Sequence, residues 1–66
     1  MEIILNGKKA ELKNSLSLTA LVRSQGMDPA AVVAEVNLKV IPEQEWENYM
    51  IKNQDRIELL SFVGGG

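Results

Sequence analysis

MEIILNGKKAELKN, residues 1–14, predicts two short β-strands joined by a tight turn. Asn6-Gly7 is the strongest two-residue hairpin signal, because both residues tolerate the positive φ angles that such a turn needs. On either side, in residues 1–5 and 8–14, apolar residues recur at alternate positions. This alternation turns one face of each strand toward a core and the other toward water. The chain is therefore expected to begin with an antiparallel hairpin.

A helix is predicted after the hairpin, beginning behind Ser17 and running to about Gln25. The Ser17 hydroxyl is the expected N-cap, and Gly26 is the expected left-handed terminator. The helix is amphipathic, and its apolar stripe consists of Leu18, Leu21 and Val22. One face of the helix is therefore available to cover a sheet.

The middle of the chain from Ala30 is ambiguous, since its apolar run fits either a helix capped by Asp28 or a buried strand. Three β-branched valines favour a strand over residues 32–36. A short strand is expected at Val40-Ile41.

Pro42 then suits the first position of a helical turn over residues 43–49. In this turn Trp46 and Met50, four residues apart, are expected on one side. Trp46 is expected to cover the edge of the core, and the three glutamates of the turn are expected to be solvated.

The last strand is predicted over residues 56–63, with apolar residues on both faces. Ile57 and Leu59 lie on one face, and Leu60 and Phe62 lie on the other. We expect Leu60 to be at least partly exposed and to belong to an apolar patch that binds a partner. Phe62 is equally compatible with this patch and with a place in the core.

The order of these elements predicts an α+β fold, in which a mixed β-sheet is covered by one main α-helix and supplemented by a short helical turn. Residues 1–63 form the predicted domain, and residues 64–66 form a flexible glycine tail. No second domain fits into 66 residues.

The composition excludes several classes of function. The chain contains no cysteine and no histidine, which excludes disulfides, zinc sites built on thiolates or imidazoles, and Cys or His nucleophiles. A formal net charge of -2 argues against a nucleic-acid partner. No run approaches the about 20 apolar residues of a membrane span, and the first residues do not resemble an export signal. We therefore expect a cytoplasmic protein with neither nucleic-acid nor membrane partners.

The residues with the clearest chemical potential are Gly64, Gly65 and Gly66. Without a Cβ atom, such a segment passes through a channel too narrow for side chains. Its terminal carboxylate is ionised at neutral pH and is able to attack a phosphoryl centre. On composition alone, a glycine tail without any role is the favoured interpretation, because terminal residues are commonly disordered.

The arrangement of the whole chain resembles the ThiS family of sulfur carriers in thiamine biosynthesis, which has a ubiquitin-like β-grasp fold. The resemblance rests on Asn6-Gly7, the helix, Glu35-Val36-Asn37, Ile41-Pro42, Trp46, Asp55-Arg56-Ile57-Glu58 and the closing Phe62-Val63-Gly64-Gly65-Gly66. Two positions depart from the pattern of many members. Glu43 replaces a basic residue and Gln54 replaces a glycine, so contacts made by those positions are not transferred to this chain.

The resemblance implies that the Gly66 carboxylate is adenylated with ATP on a separate ThiF-type enzyme and then converted to a thiocarboxylate by sulfur-donor proteins. The thiocarboxylate then gives its sulfur to the thiazole ring inside the thiazole synthase ThiG. Gly64, Gly65, Leu60 and Phe62 become the expected partner-binding residues. The chain itself is then a protein co-substrate and not an enzyme. It binds no cofactor or metal, because ATP and Mg²⁺ belong to the adenylating partner.

Two other functions fit the same residues. A sulfur carrier for a different pathway, of the molybdopterin type, shares the terminal glycines. A β-grasp binding module that undergoes no reaction would carry the same tail without using it.

Overall fold

The structure is a computed structural model that describes residues 1–62. The expectations for Val63 and for the tail of residues 64–66 lie outside the described residues. The elements are strands β1 (Glu2–Leu5), β2 (Lys8–Glu11), β3 (Val32–Val36), β4 (Lys39–Val40) and β5 (Arg56–Ser61), helix α1 (Leu18–Ser24), and two 3-10 helices (Pro29–Ala31 and Glu43–Asn48).

The five strands form a single sheet in the order β2-β1-β5-β3-β4. Strand β5 is central, parallel to β1 and antiparallel to β3, with Ile57 opposite Leu5 on one side and Leu59 opposite Ala34 on the other. The β1–β2 and β3–β4 pairs are antiparallel. The predicted α+β class, with one main helix on a mixed sheet and a short helical turn, is confirmed.

The amino-terminal hairpin is confirmed, with left-handed backbone at both turn residues, Asn6 (φ 49°) and Gly7 (φ 81°). Strand β2 is shorter than predicted and ends at Glu11 instead of reaching residue 14. The reason is the length of its partner. Glu11 pairs with Glu2, the first residue of β1, and the pairing continues only to Met1, whose carbonyl accepts from the Leu12 N–H at 2.8 Å and whose amino group donates to the Leu12 carbonyl at 2.7 Å.

Helix α1 covers one face of the sheet, as its sequence pattern predicts. The Ser17 hydroxyl accepts a hydrogen bond from the Ala20 N–H at 3.1 Å, and Gly26 follows the helix with φ 73°. The core is made of apolar side chains from both layers: Ile3, Leu18, Leu21, Val22, Val32, Ala34, Val36, Ile41, Trp46, Ile51, Ile57 and Leu59.

The ambiguous middle segment contains both structures, because Asp28 caps the 3-10 turn Pro29–Ala31 and the predicted strand follows directly as β3. Strand β4 ends at Val40, although the Ile41 N–H still donates to the Ala34 carbonyl at 2.9 Å. Pro42 follows Ile41 and has no N–H with which to extend the pairing.

The expectation that Met50 shares a side with Trp46 is wrong. Trp46 is buried, and its indole Nε1–H donates to the Ile41 carbonyl at 2.7 Å, whereas Met50 is 47% exposed. The helical turn is a 3-10 helix that ends at Asn48, and Met50 forms a β-bridge with Ser17. A helical spacing of four residues therefore does not apply at Met50.

Within residues 1–62, no helix has the length and apolar character needed to span a membrane.

Candidate functional site

The last described residue, Phe62, is fixed at the end of the central strand. Its N–H donates to the Ala31 carbonyl at 2.9 Å, and the preceding residue, Ser61, pairs with Val32. The segment that follows Phe62 therefore starts from a defined point on the sheet. The predicted site residues Gly64, Gly65 and Gly66 lie outside the described residues.

An apolar patch lies beside this point, on the sheet face opposite helix α1. Leu60 is 60% exposed and Phe62 is 49% exposed, and Val33 stands directly opposite Leu60 on β3 and is also exposed. We call Val33, Leu60 and Phe62 the open-face patch. The prediction that Leu60 is at least partly exposed is confirmed, and Phe62 contributes to the surface. The sequence prediction missed Val33, whose alternation with the buried Val32 and Ala34 was the available signal.

Carboxylates border the open-face patch on the side away from Phe62. Glu35 and Glu58 stand opposite each other on β3 and β5, and both are partly buried. Like charges in directly opposite positions of a sheet repel each other. The site therefore combines an apolar surface with a pair of carboxylates, which lie two residues away along β3 and β5.

A hydrogen-bonded cluster fixes β5 at its other end. The carboxylate of Asp55, which is buried, accepts hydrogen bonds from the Asn37 side-chain amide at 3.0 Å and from the Lys52 N–H at 2.8 Å. The Asn37 side-chain oxygen in turn accepts from the Arg56 N–H at 3.0 Å. These residues tie the start of β5 to the β3–β4 turn, far along the strand from Phe62. Their role is to hold the strand that carries the site.

The Asn6 side chain supports β5 closer to the site. Its Oδ1 accepts a hydrogen bond from the Leu59 N–H at 2.7 Å, and its own N–H donates to the Ile57 carbonyl at 2.8 Å. Strand β1 ends at Leu5, so it has no carbonyl for Leu59, and the Asn6 side chain takes that place. The sequence predicts the turn at Asn6 but not this contact.

Replacing Asn6 tests this contact. We expect Asn6→Gly to lower the free energy of unfolding by about 1–3 kcal/mol, because it leaves the N–H of buried Leu59 without a partner while glycine keeps the left-handed turn accessible. Urea denaturation followed by circular dichroism measures the change.

The matched control is Asn6→Asp, which keeps an acceptor oxygen and the tolerance of positive φ. It should lie closer to the natural protein than Asn6→Gly does. Equal stabilities for the two variants would show that the hydrogen bond contributes nothing.

The glutamates of the second 3-10 helix, Glu43, Glu45 and Glu47, are all exposed, as predicted. Among the residues that the structure describes, no group of three or more His, Cys, Asp or Glu side chains converges as a metal site would.

Comparison with known proteins identifies the family. The model of the ThiS family matches residues 3–66. The chain belongs to the ThiS family.

Solved structures agree with this assignment. The crystal structure of the thiamine biosynthesis protein ThiS from Geobacter metallireducens is 29% identical, covers all of both chains and superposes with a TM-score of 0.85. The solution structure of a thiamine biosynthesis protein from the same organism is 30% identical over all of this chain and 88% of that one, with a TM-score of 0.81. The ubiquitin-like β-grasp fold implied by the sequence resemblance is confirmed.

Relatives in sequence include longer proteins. A protein named thiazole synthase from Paramagnetospirillum magneticum is 29% identical over 66 residues. The match covers all of the present chain but only 20% of the length of that protein. The uncharacterized protein ycf40 of Trieres chinensis is 32% identical over 62 residues, which cover 94% of this chain and 85% of that protein.

Proposed function

We propose that this ThiS-family chain is a sulfur carrier of thiamine biosynthesis, activated and loaded with sulfur at the Gly66 carboxylate. The observation that carries the proposal is the family match, which includes Gly64, Gly65 and Gly66. The structural neighbours named for thiamine biosynthesis support the same pathway, in preference to a carrier of the molybdopterin type.

The proposed reaction begins with adenylation on a ThiF-type partner enzyme. A Gly66 carboxylate oxygen attacks the α-phosphorus of ATP, the bond to the β-phosphate breaks, and pyrophosphate leaves. The product is an acyl-adenylate, in which the poor leaving group of a carboxylate has been replaced by AMP. ATP and Mg²⁺ are bound by the partner and not by this chain.

Sulfur transfer follows on the activated carbonyl. The terminal sulfur of a persulfide on a sulfur-donor protein attacks the acyl carbon, and AMP leaves. A thiol then attacks the donor's sulfur atom and forms a disulfide with it, which releases the C-terminal thiocarboxylate. The chain has no cysteine, so it cannot carry the sulfur as a persulfide of its own.

The thiocarboxylate is proposed to deliver its sulfur to the thiazole synthase ThiG, where the thiazole ring forms. The similarity to proteins named thiazole synthase supports this partner. In each step the chain is consumed or modified by another protein's active site, so we propose that it acts as a co-substrate and not as an enzyme. The cytoplasmic location expected from the sequence stays a prediction.

The open-face patch is the proposed docking surface for the adenylating enzyme. It lies where β5 ends, so contact with Leu60 and Phe62 would place the following Gly64 and Gly65 at the entrance of the partner's active site. Glycines at these two positions would fit a passage without room for side chains.

Carrier-dependent exchange of labelled pyrophosphate into ATP tests the adenylation step. With the ThiF-type enzyme, ATP and Mg²⁺ present, we expect exchange only when the chain is added, because the reverse reaction needs the acyl-adenylate. Exchange that proceeds equally well without the chain would contradict the proposal.

Replacing Leu60 tests the docking surface. We expect Leu60→Ser to lower kcat/KM for exchange about tenfold, the effect of losing one well-buried apolar contact of about 1.4 kcal/mol from an interface. The fold should tolerate the change, since Leu60 is 60% exposed in the free chain. Steady-state exchange rates at varied carrier concentration provide the measurement.

Val40→Ser is the matched control. Val40 is as exposed as Leu60, at 62%, but it lies on β4, two strands away from β5, and is outside the open-face patch. Equal rates for the Leu60 and Val40 variants would remove the patch from the proposal.

A further inference from the structure

Strand β5 extends further than β1, the neighbour with which it runs parallel. Only Ile4 and Leu5 of β1 pair with β5, and they stand opposite Arg56 and Ile57. On its other side β5 is paired with β3 along nearly its whole length, up to Ser61. The last residues of β5 are therefore paired with β3 on one side, whereas on the β1 side they have no neighbouring strand.

The hydrogen bonds define which backbone groups face this open side. The Ile57 carbonyl and the Leu59 N–H both contact Asn6, whereas the Phe62 N–H contacts Ala31 on the β3 side. Because alternate residues of a strand direct their N–H and C=O groups to the same side, the Leu59 carbonyl and the Ser61 N–H face away from β3. We call these two groups the open β5 edge.

Part of this side is closed by the chain itself. The Asn6 side chain occupies the position opposite the Leu59 N–H, one step before the open β5 edge. Within the described range 1–62, neither the Leu59 carbonyl nor the Ser61 N–H has a hydrogen-bond partner. Ser61 is exposed, so an approaching backbone can reach its N–H.

We propose that the open β5 edge accepts an extended segment of the adenylating enzyme as an added strand, and that this pairing positions the tail. The proposal rests on the sulfur-carrier function given above. An unpaired donor and acceptor at strand spacing select an extended backbone as their partner, as in other cases of strand addition. Strand pairing fixes direction and register, which an apolar patch alone does not.

The location of the edge fits this role. The open β5 edge lies on the strand that leads into the tail, and Ser61 is immediately followed by Phe62 of the open-face patch. A partner strand at Ser61 would therefore continue alongside the residues that follow. Docking on the patch and pairing at the edge would act together to present the Gly66 carboxylate.

Ser61→Pro is expected to prevent this pairing and to leave the fold intact. Proline removes the Ser61 N–H, which contributes no hydrogen bond inside residues 1–62, and proline is tolerated where a strand's N–H faces open solvent. Ser61→Ala is the matched control, since it changes the side chain and keeps the N–H. We expect Ser61→Pro to reduce kcat/KM for pyrophosphate exchange about tenfold or more relative to Ser61→Ala. Their circular dichroism spectra should be the same.

The outcomes distinguish this inference from the proposed function. Equal exchange by the proline and alanine variants overturns strand addition and leaves the sulfur-carrier function standing. No exchange with the natural chain overturns both.

Amide hydrogen exchange of the natural chain is a second test of the pairing, and it does not require any variant to fold. The Ser61 amide should exchange at least about tenfold more slowly when the adenylating enzyme is added, because a hydrogen-bonded amide exchanges only on opening. An unchanged Ser61 rate in the complex, with slowed exchange at Leu60 and Phe62 only, overturns the pairing.

Discussion

Deletion of Gly66 is expected to abolish carrier-dependent pyrophosphate exchange and to leave thermal unfolding unchanged. Removing one residue withdraws the terminal carboxylate by about 3.3–3.6 Å from the α-phosphate of ATP. A displacement of about 1 Å from the reactive geometry can already cost about 100-fold, so at least that loss is expected. Exchange assays and a thermal melt followed by circular dichroism measure the two effects.

The fold should not respond to this deletion, because Gly66 has no side chain to bury, whereas the apolar core of residues 1–62 is built from side chains between Ile3 and Leu59. Leu38→Gly is a suitable control. Leu38 is exposed in the β3–β4 turn, at the opposite end of the sheet from Phe62, and has the positive φ of 73° that glycine adopts readily. Its exchange rate should equal that of the natural chain. Full activity after deletion of Gly66 would show that the terminal carboxylate is not the reacting group.

Trp46→Ala is expected to lower the free energy of unfolding by about 3–5 kcal/mol, the usual cost of removing a buried aromatic side chain. Trp46 is the largest fully buried side chain, and its indole N–H is bonded to the Ile41 carbonyl. Natural domains have about 0.05–0.15 kcal/mol of stability per residue, so the loss is a large share of the total for a chain of this size. Urea denaturation followed by far-ultraviolet circular dichroism measures it without the tryptophan signal.

Trp46→Phe divides this effect into packing and hydrogen bonding. Phenylalanine keeps most of the apolar contact and loses the indole N–H, so a cost of about 1–3 kcal/mol is expected from the unpaired Ile41 carbonyl. A Trp46→Ala variant within about 1 kcal/mol of the natural protein would contradict the central packing role of this side chain.

Local patterns in the sequence were sufficient for most of the fold. The Asn6-Gly7 turn, the Ser17 cap and the three valines of β3 each act through neighbouring residues, and each prediction is confirmed by the structure. The wrong prediction for Met50 has its cause in a missing local signal. The predicted helical spacing continues past Asn48, where the 3-10 helix ends, because no strong local signal in the sequence marks the end of this short helix.

Contacts across long stretches of the chain were not predictable in this way. Asn6 and Leu59 are 53 residues apart, and Asn37 and Asp55 are 18 apart, so their hydrogen bonds depend on how the strands are ordered. The same holds for the candidate site. Alternation along β5 predicted that Leu60 is exposed, but the place of Val33 beside it follows from the register between β3 and β5.

The mass of the intact protein after reaction tests the sulfur-carrier proposal most directly. The chain is incubated with its adenylating enzyme, ATP, Mg²⁺ and a sulfur donor, and the product is fragmented to locate the change. The proposal predicts that one oxygen atom is exchanged for sulfur and that the exchange maps to Gly66. An unchanged mass, or sulfur attached at any other residue, would contradict it.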